Sequence, residues 1–388
     1  MQQSPHLQAA QGTIALPDAP PLPSVNTTTK GKAKEHMPAL DGLRGLAALS
    51  VVIAHLPTKT WAWEQVNFGE TGVFLFFVLS GFLMAHLHLQ QPFDAQRLRR
   101  FGVARVARIV PLYYTVVLIA YAVSVLTQAD FHYRMDTVAL VRLLAFVGST
   151  DVFWSVGPEF QFYGFFLLLW GITALHGKAR TLALLVLGAF AIACYFGSPY
   201  LPGVLFISKL HIFLGGVAIA LLRHALATRG QQPDARGIGA LQLLACAAVV
   251  GMLFPYHQML LPLFPAQDVA QISAWYYTDL PRVLLAALVV LAFSYRNKVS
   301  DLLLGNGLVS ELGRSSFSIY LLHRPVIDVM TYFGLFERLN PSVAGIGCLV
   351  ATVLLASLVN RILETPARLW ITRRFTPSGA HSAIARTA

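Results

Sequence analysis

Charge is what this sequence has least of. Only 12% of its 388 residues are Asp, Glu, Lys or Arg, against roughly 25% in a soluble domain. Hydrophobic residues make up 56% and mean hydropathy is +0.60, so a soluble globular protein is excluded and a polytopic membrane protein is implied. Cysteine is almost as scarce. Cys194, Cys246 and Cys348 stand in separate apolar segments without disulfide or metal spacing, which makes them small packing residues. No Gly-x-Ser-x-Gly elbow, His-Glu-x-x-His pair or Walker loop occurs, which removes the usual marks of serine hydrolases, zinc proteases and nucleoside triphosphatases. No metal is therefore expected. No repeat at a fixed period and no inverted repeat is visible either.

The formal charge of +11 invites a nucleic-acid partner, but its distribution argues for a lipid bilayer. The basic residues cluster in short loops between apolar runs, as the positive-inside rule requires. Residues 1–36 are rich in Pro, Gln and Thr and end on Lys30, Lys32 and Lys34. They lack the apolar core of a cleaved signal peptide and are expected to form a disordered cytoplasmic tail.

Ten apolar segments follow, at 39–57, 70–89, 109–127, 158–176, 181–197, 207–223, 238–255, 279–295, 314–335 and 342–363. Each is near the ~20 residues that a membrane helix needs. Arg97, Arg99, Arg100, Arg105 and Arg108 fall on one side of the bilayer with Lys178, Arg180, Arg223, Arg229, Arg236, Arg296 and Lys298. The opposite loops hold few basic residues, so both termini are expected inside the cell. The expected architecture is all-α, with about ten transmembrane helices around a central groove. Residues 37–367 form the membrane domain and 368–388 a basic cytoplasmic tail. Two stretches look irregular: an amphipathic piece from Val138 to Val147, expected to lie flat on the outer surface, and a long outer loop, 255–278, bearing Trp275, Tyr276 and Tyr277. These aromatics suit an interfacial belt or a surface that stacks on sugar rings.

Against this apolar background the ionisable residues stand out. Arg44 and His55 lie eleven residues apart in the first segment. Eleven steps of about 100° make roughly three turns plus ~20°, so the two side chains share one helix face, roughly 16 Å apart along the axis. Burying such groups in a membrane costs roughly 2.5–3.5 kcal/mol for a central Arg, which points to a polar interior. Glu159 opens another segment beside Trp154, Ser155, Gln161 and Tyr163; Pro158 and Glu159 suit a helix start, and the group is expected at an outer membrane edge. Arg105 and Arg108, at i,i+3, share a face within a run of five arginines, more than topology needs, and a guanidinium fork suits phosphate. His323 and Arg324 precede Pro325 inside the ninth segment. Arg361 and Glu364 are spaced for a structural ion pair. Ser80-Gly81, within Phe76–Phe82, reads as a point of close helix approach.

In this order, the pieces resemble the membrane-bound acyltransferase-3 family of bacterial O-acyltransferases. The resemblance runs from about residue 37 to 367. It is carried by Leu40–Gly45 with His55, by Gly72–Phe82, by Arg105, Arg108 and Pro111, by Trp154, Ser155, Glu159 and Tyr163, by Tyr320, Leu322, His323 and Pro325, and by Glu364-Thr365-Pro366. It implies a multi-pass protein of the bacterial inner membrane. The activity implied is transfer of an acyl group, usually acetyl from cytosolic acetyl-CoA, to a hydroxyl of an extracytoplasmic glycan or similar acceptor. On that reading Arg105 and Arg108 receive the CoA moiety and His55 is the general base, an imidazole being suited to proton transfer near neutral pH. Arg44 or Arg324 would stabilise the oxyanion, and Glu159 would orient His55 or the acceptor. Trp154, Ser155, Tyr163 and His323 would line the site. A covalent acetyl-histidine route stays open. Many members carry a carboxylate where this chain has Phe74. Some append a soluble esterase-like domain, for which this chain leaves no room. The competing class is a transporter or proton-coupled channel, which would also place Arg, His and Glu inside a membrane.

Overall fold

A computed structural model describes residues 36–57, 68–127, 130–253 and 278–376. The chain divides into a unit of Met1–His36 and a unit of Met37–Ala388; the second carries the fold. The expected tail over 1–36 lies outside the described residues except for His36, as do nearly all of the aromatic loop over 255–278 and the end of the C-terminal tail.

Every described element is helical. In chain order they are α1 (Pro38–His55), α2 (Phe68–His88), α3 (Ala95–Leu126), α4 (Thr137–Leu144), α5 (Val156–Thr173), α6 (Gly177–Gly197), α7 (Leu210–Thr228), α8 (Ala235–Leu253), α9 (Leu280–Ser294), α10 (Lys298–Leu303), α11 (Gly307–Arg314), α12 (Ser316–Tyr332), α13 (Leu335–Arg338), α14 (Pro341–Val359) and α15 (Thr365–Phe375). Each of the ten apolar segments overlaps a helix. Among the described residues six helices are long and apolar enough to cross a membrane: α2, α3, α6, α7, α8 and the continuous run from α14 through α15. The other four differ for visible reasons. α1 carries Asp41, Arg44 and His55, and α5 carries Glu159 and Gln161, while α9 and α12 have only 15 and 17 residues.

Burial separates centre from rim. Of the apolar window of α2, 78% is buried, against 11% for α6, so α2 is the central post and α6 faces outward. α2 packs along α7, α1 and α9, while α1 also packs on α11 and α12. Small residues allow this density. A Cβ on Gly81 would stand 2.0 Å from the Phe213 carbonyl oxygen, and one on Gly216 would stand 2.0 Å from that of Val78, so α2 and α7 touch backbone to backbone. α1 is seated the same way on the short helices: a Cβ on Gly42 would meet Leu304 O at 2.1 Å, and one on Gly313 would meet Asp41 O at 2.2 Å.

Two expectations change here. α3 begins at Ala95, where Asp94 caps it by accepting the Arg97 amide at 2.8 Å, and it runs unbroken for 32 residues. The five arginines therefore belong to a helix rather than to a loop before a span starting at 109. The amphipathic piece from Val138 is shorter than expected and ends at Leu144. Tyr113 and Tyr114 of α3 donate to its Leu143 and Leu144 carbonyls at 3.1 and 2.7 Å, which ties it to the bundle.

Candidate active site

Side chains of α1, α2, α3, α5 and α12 enclose a cavity with about 680 Å³ of unfilled space, its mouth included. α2 lines it from Val73 to Met84, a length of roughly 16 Å at ~1.5 Å per residue. Helix direction orders the lining. Leu83 and Met84 of α2, Arg105 of α3, Arg44 of α1 and Ser316 of α12 sit toward one end, here called inward; Val73, Phe76 and Phe77 of α2, Ser155 and Tyr320 sit toward the other. Ser80, Arg108 and Glu159 lie between.

The cavity is cationic. Arg44, Arg105 and Arg108 all line it, with Glu159 as its carboxylate. Glu159 is already engaged, its Oε1 accepting from the Tyr163 hydroxyl at 2.7 Å and the Ser80 hydroxyl at 3.3 Å. The Arg105 guanidinium stands over the Tyr163 ring at 5.5 Å and the Phe101 ring at 5.7 Å, and its Nε is buried without a hydrogen-bond partner. Among the described residues no carboxylate lies within ion-pair distance of Arg44, Arg105 or Arg108. Three guanidiniums lodged among aromatic and aliphatic side chains leave donor capacity for a carbonyl-rich or anionic guest.

His55 does not line this cavity. It lies on the outward side, where its ring centroid is 5.0 Å from that of His323. The His55 Nδ1 is 2.7 Å from Val51 O, and the His323 Nδ1 is 2.7 Å from Tyr320 O. A carbonyl only accepts, so both rings carry their proton on Nδ1 when neutral, and both Nε2 atoms present lone pairs. The His323 Nε2 is buried and has no hydrogen-bond partner. Farther out, the Arg324 Nε donates to Asp151 Oδ1 at 3.0 Å, and His132 meets Asp328 at 2.5 Å.

The sequence-predicted residues thus fall into two groups. Arg44, Arg105, Arg108, Ser155 and Glu159 share the cavity, and Tyr163 bonds its carboxylate. His55, His323 and Arg324 form the outward group. Arg44 lines the cavity and His55 does not, while Tyr320 lines it and lies near His323. Glu159 is bound to Ser80 and Tyr163, not to His55, and it lines the same cavity as Arg108. Arg324 is taken up by Asp151. Trp154 packs edge-on against Phe77, with centroids 6.4 Å apart. Gln161 is structural: its amide donates to Phe146 O and Val204 O and accepts from the Phe206 amide.

Other functional groups were hidden in the sequence. Arg361 reaches Glu311 at 3.4 Å rather than Glu364. Glu364 is buried and accepts from Ser318 at 2.6 Å. The reason is local: residues Asn360–Glu364 form a π-turn, which rotates Glu364 off the face that i,i+3 spacing assigns it. Such turns often mark functional places, and Glu364 bears electrostatically on Arg108. Tyr320, quoted above only as part of a pattern, also lines the cavity. The adjoining Pro and polar residues were the available signals.

The described residues thus form an all-helical bundle with an internal cationic cavity and, apart from its lining, a histidine pair. The chain belongs to the acyltransferase-3 family, whose model, described as an acyltransferase domain, matches residues 37–361. It is 24% identical over 385 residues to the "Putative O-acetyltransferase SAS0844" of Staphylococcus aureus strain MSSA476; this alignment covers 88% of the chain and 58% of that relative. It is 24% identical over 372 residues to the peptidoglycan O-acetyltransferase OatA of Listeria monocytogenes, covering 87% of the chain and 56% of the relative. The chain therefore spans under three fifths of the length of these curated relatives. No solved structure matches it.

Proposed function

We propose that this protein is an integral-membrane O-acyltransferase that moves an acetyl group from cytosolic acetyl-CoA to a hydroxyl of an extracytoplasmic glycan. The observation that carries the reading is the set of three guanidiniums without a carboxylate at ion-pair distance among the described residues, in a cavity lined also by Tyr320, whose ring is 6.0 Å from that of His323. Ten membrane-spanning helices with both termini in the cytoplasm, in a bacterial inner membrane, complete it. The donor enters from the inward end, where the turns of α3 carrying Arg97, Arg99 and Arg100 lead to Arg105 and Arg108, which hold the CoA moiety. Arg44 faces the same chamber, and there it stabilises charge developing on the thioester oxygen. Glu159 keeps the cluster from excess positive charge and is itself fixed by Ser80 and Tyr163. His55, with its Nε2 lone pair, is the general base for the acceptor hydroxyl. The names of the relatives make peptidoglycan a leading acceptor class.

A transporter would share the buried charges. The two are separated by giving purified protein acetyl-CoA and a hydroxyl acceptor, then measuring thiol release together with acetyl on the acceptor. The enzyme yields both in equal amounts. Movement of an intact solute across proteoliposomes without thiol release would replace this reading with transport.

A further inference from the structure

One side chain borders both the proposed donor cavity and the histidine pair. Tyr320 lines the outward end of the cavity, and its ring centroid lies 6.0 Å from that of His323 on the other side. Phe76 abuts the same ring edge-on at 6.2 Å. The phenol is held in place from the segment that precedes α5. Its hydroxyl is 2.7 Å from Ser155 Oγ and donates to Val152 O at 2.9 Å. Tyr320 is 6% exposed and His323 0%, whereas beyond them Arg324 and His132 rise to 16% and 38%. Exposure therefore rises from Tyr320 and His323 to Arg324 and His132.

We infer that Tyr320, latched by Ser155 and Val152, is the partition between the donor and acceptor compartments, and that it sets the preference of this enzyme for an acceptor hydroxyl over water. The inference rests on the acyl transfer proposed above. With the latch closed, the thioester carbonyl and the His55 imidazole occupy different chambers and no reaction occurs. With it open, an acceptor oxygen beside His55 attacks the carbonyl. A C–O bond forms, the C–S bond breaks, the hydroxyl proton passes to His55 Nε2 and then to the CoA sulfur. The products are ester and CoA thiol. Water in the same place gives acetic acid and CoA thiol by the same proton path. An unlatched Tyr320 therefore wastes donor.

One net hydrogen bond shifts an opening equilibrium by roughly 2- to 13-fold. Ser155→Ala removes one bond from the phenol and Tyr320→Phe removes both while keeping the ring. The test uses the full chain in lipid nanodiscs with acetyl-CoA and water as the sole acceptor. Thiol release should rise roughly 2- to 13-fold in Ser155→Ala and roughly 5- to 150-fold in Tyr320→Phe, as the bonds add. Release is compared at saturating acetyl-CoA, and the added release should vanish in Tyr320→Phe combined with His55→Ala. A merely structural role predicts a lower melting temperature and equal or slower release. If either variant, saturated with acetyl-CoA, releases thiol no faster than the parent, or if the added release survives loss of His55, the partition is overturned. If Tyr320→Phe does not fold, Ser155→Ala carries the test alone. Failure of the parent protein to bind acetyl-CoA would instead remove the donor-site reading, and this inference with it.

Discussion

Replacing His55 separates chemistry from folding more cleanly than any other change in this protein. The side chain makes a single hydrogen bond, Nδ1 to Val51 O at 2.7 Å, and that carbonyl lies within α1, where the helix ladder already engages it. Its loss leaves no orphaned acceptor, so His55→Ala should cost near the low end of the usual ~0.5–1.5 kcal/mol for a hydrogen bond. Removing a general base costs typically ~10²–10⁴-fold in rate. Activity should therefore collapse while the melting temperature in detergent moves little. His55→Asn sharpens the test. Its amide can still donate to Val51 O, as Nδ1–H does, but it has no basic nitrogen. Asn should fold at least as well as Ala and be just as inactive. The assay is transfer of radiolabelled acetyl from acetyl-CoA in membranes with matched protein levels. Either variant retaining more than a tenth of the parent rate would refute His55 as the base.

Arg105→Ala should raise the apparent KM for acetyl-CoA far more than that for the acceptor, by the ~1.5–3 kcal/mol of a charge-assisted contact, and Arg105→Lys should recover it only in part; equal calorimetric affinities of parent and Ala variant would remove the donor-site assignment. Glu159→Gln should keep the Tyr163 contact yet lower turnover at least tenfold, because the cluster of guanidiniums loses its only lining carboxylate, and unchanged turnover would show that its charge is idle. Gly81→Val should destabilise by more than the ~1–3 kcal/mol typical of overpacking, since its Cβ would collide with backbone rather than a movable side chain; a melting temperature equal to the parent would contradict the α2–α7 contact. Reporter fusions active only outside the cytoplasm, placed near residue 100 or at residue 388, should stay dark, and a bright one at either point would refute the proposed topology.

Much of the helical pattern could be read directly. Runs of apolar residues announce their own length, and each of the ten overlaps a helix. The start of α3 could not, because its first turns are arginine-rich and hydropathy marks only the lipid-matched part; the Asp94 cap was the missed sign. Arg44 was legible as a charge that is costly in a bilayer, Arg105 and Arg108 as arginines beyond what topology needs, and Glu159 as a carboxylate at a helix start, but nothing in the sequence brought the four into one cavity. Their division from His55 was not legible either, since sharing one face of α1 fixes direction but says nothing of what the neighbouring helices enclose. Glu364 was misassigned for a similar reason. Helical spacing paired it with Arg361, and one π-turn was enough to turn it inward.

The seating of α1 on α11 through Gly42 and Gly313 has a mechanical consequence. Where main chains touch, no side chain can yield by changing rotamer, so the inward portion of the bundle behaves as a clamped frame with Arg44 bolted to it. The give in the molecule must then reside elsewhere. The connection between α4 and α5 is the natural compliance: Phe146 and Asp151 both adopt positive φ, 59° and 44°, values that cost non-glycine residues of order ~1–3 kcal/mol when strained. A spring held under tension next to a rigid frame releases in one direction only. Any stroke this protein makes should be confined to the end of the bundle that carries Phe146 and Asp151, leaving the inward end, where Gly42 and Gly313 are clamped, dimensionally constant.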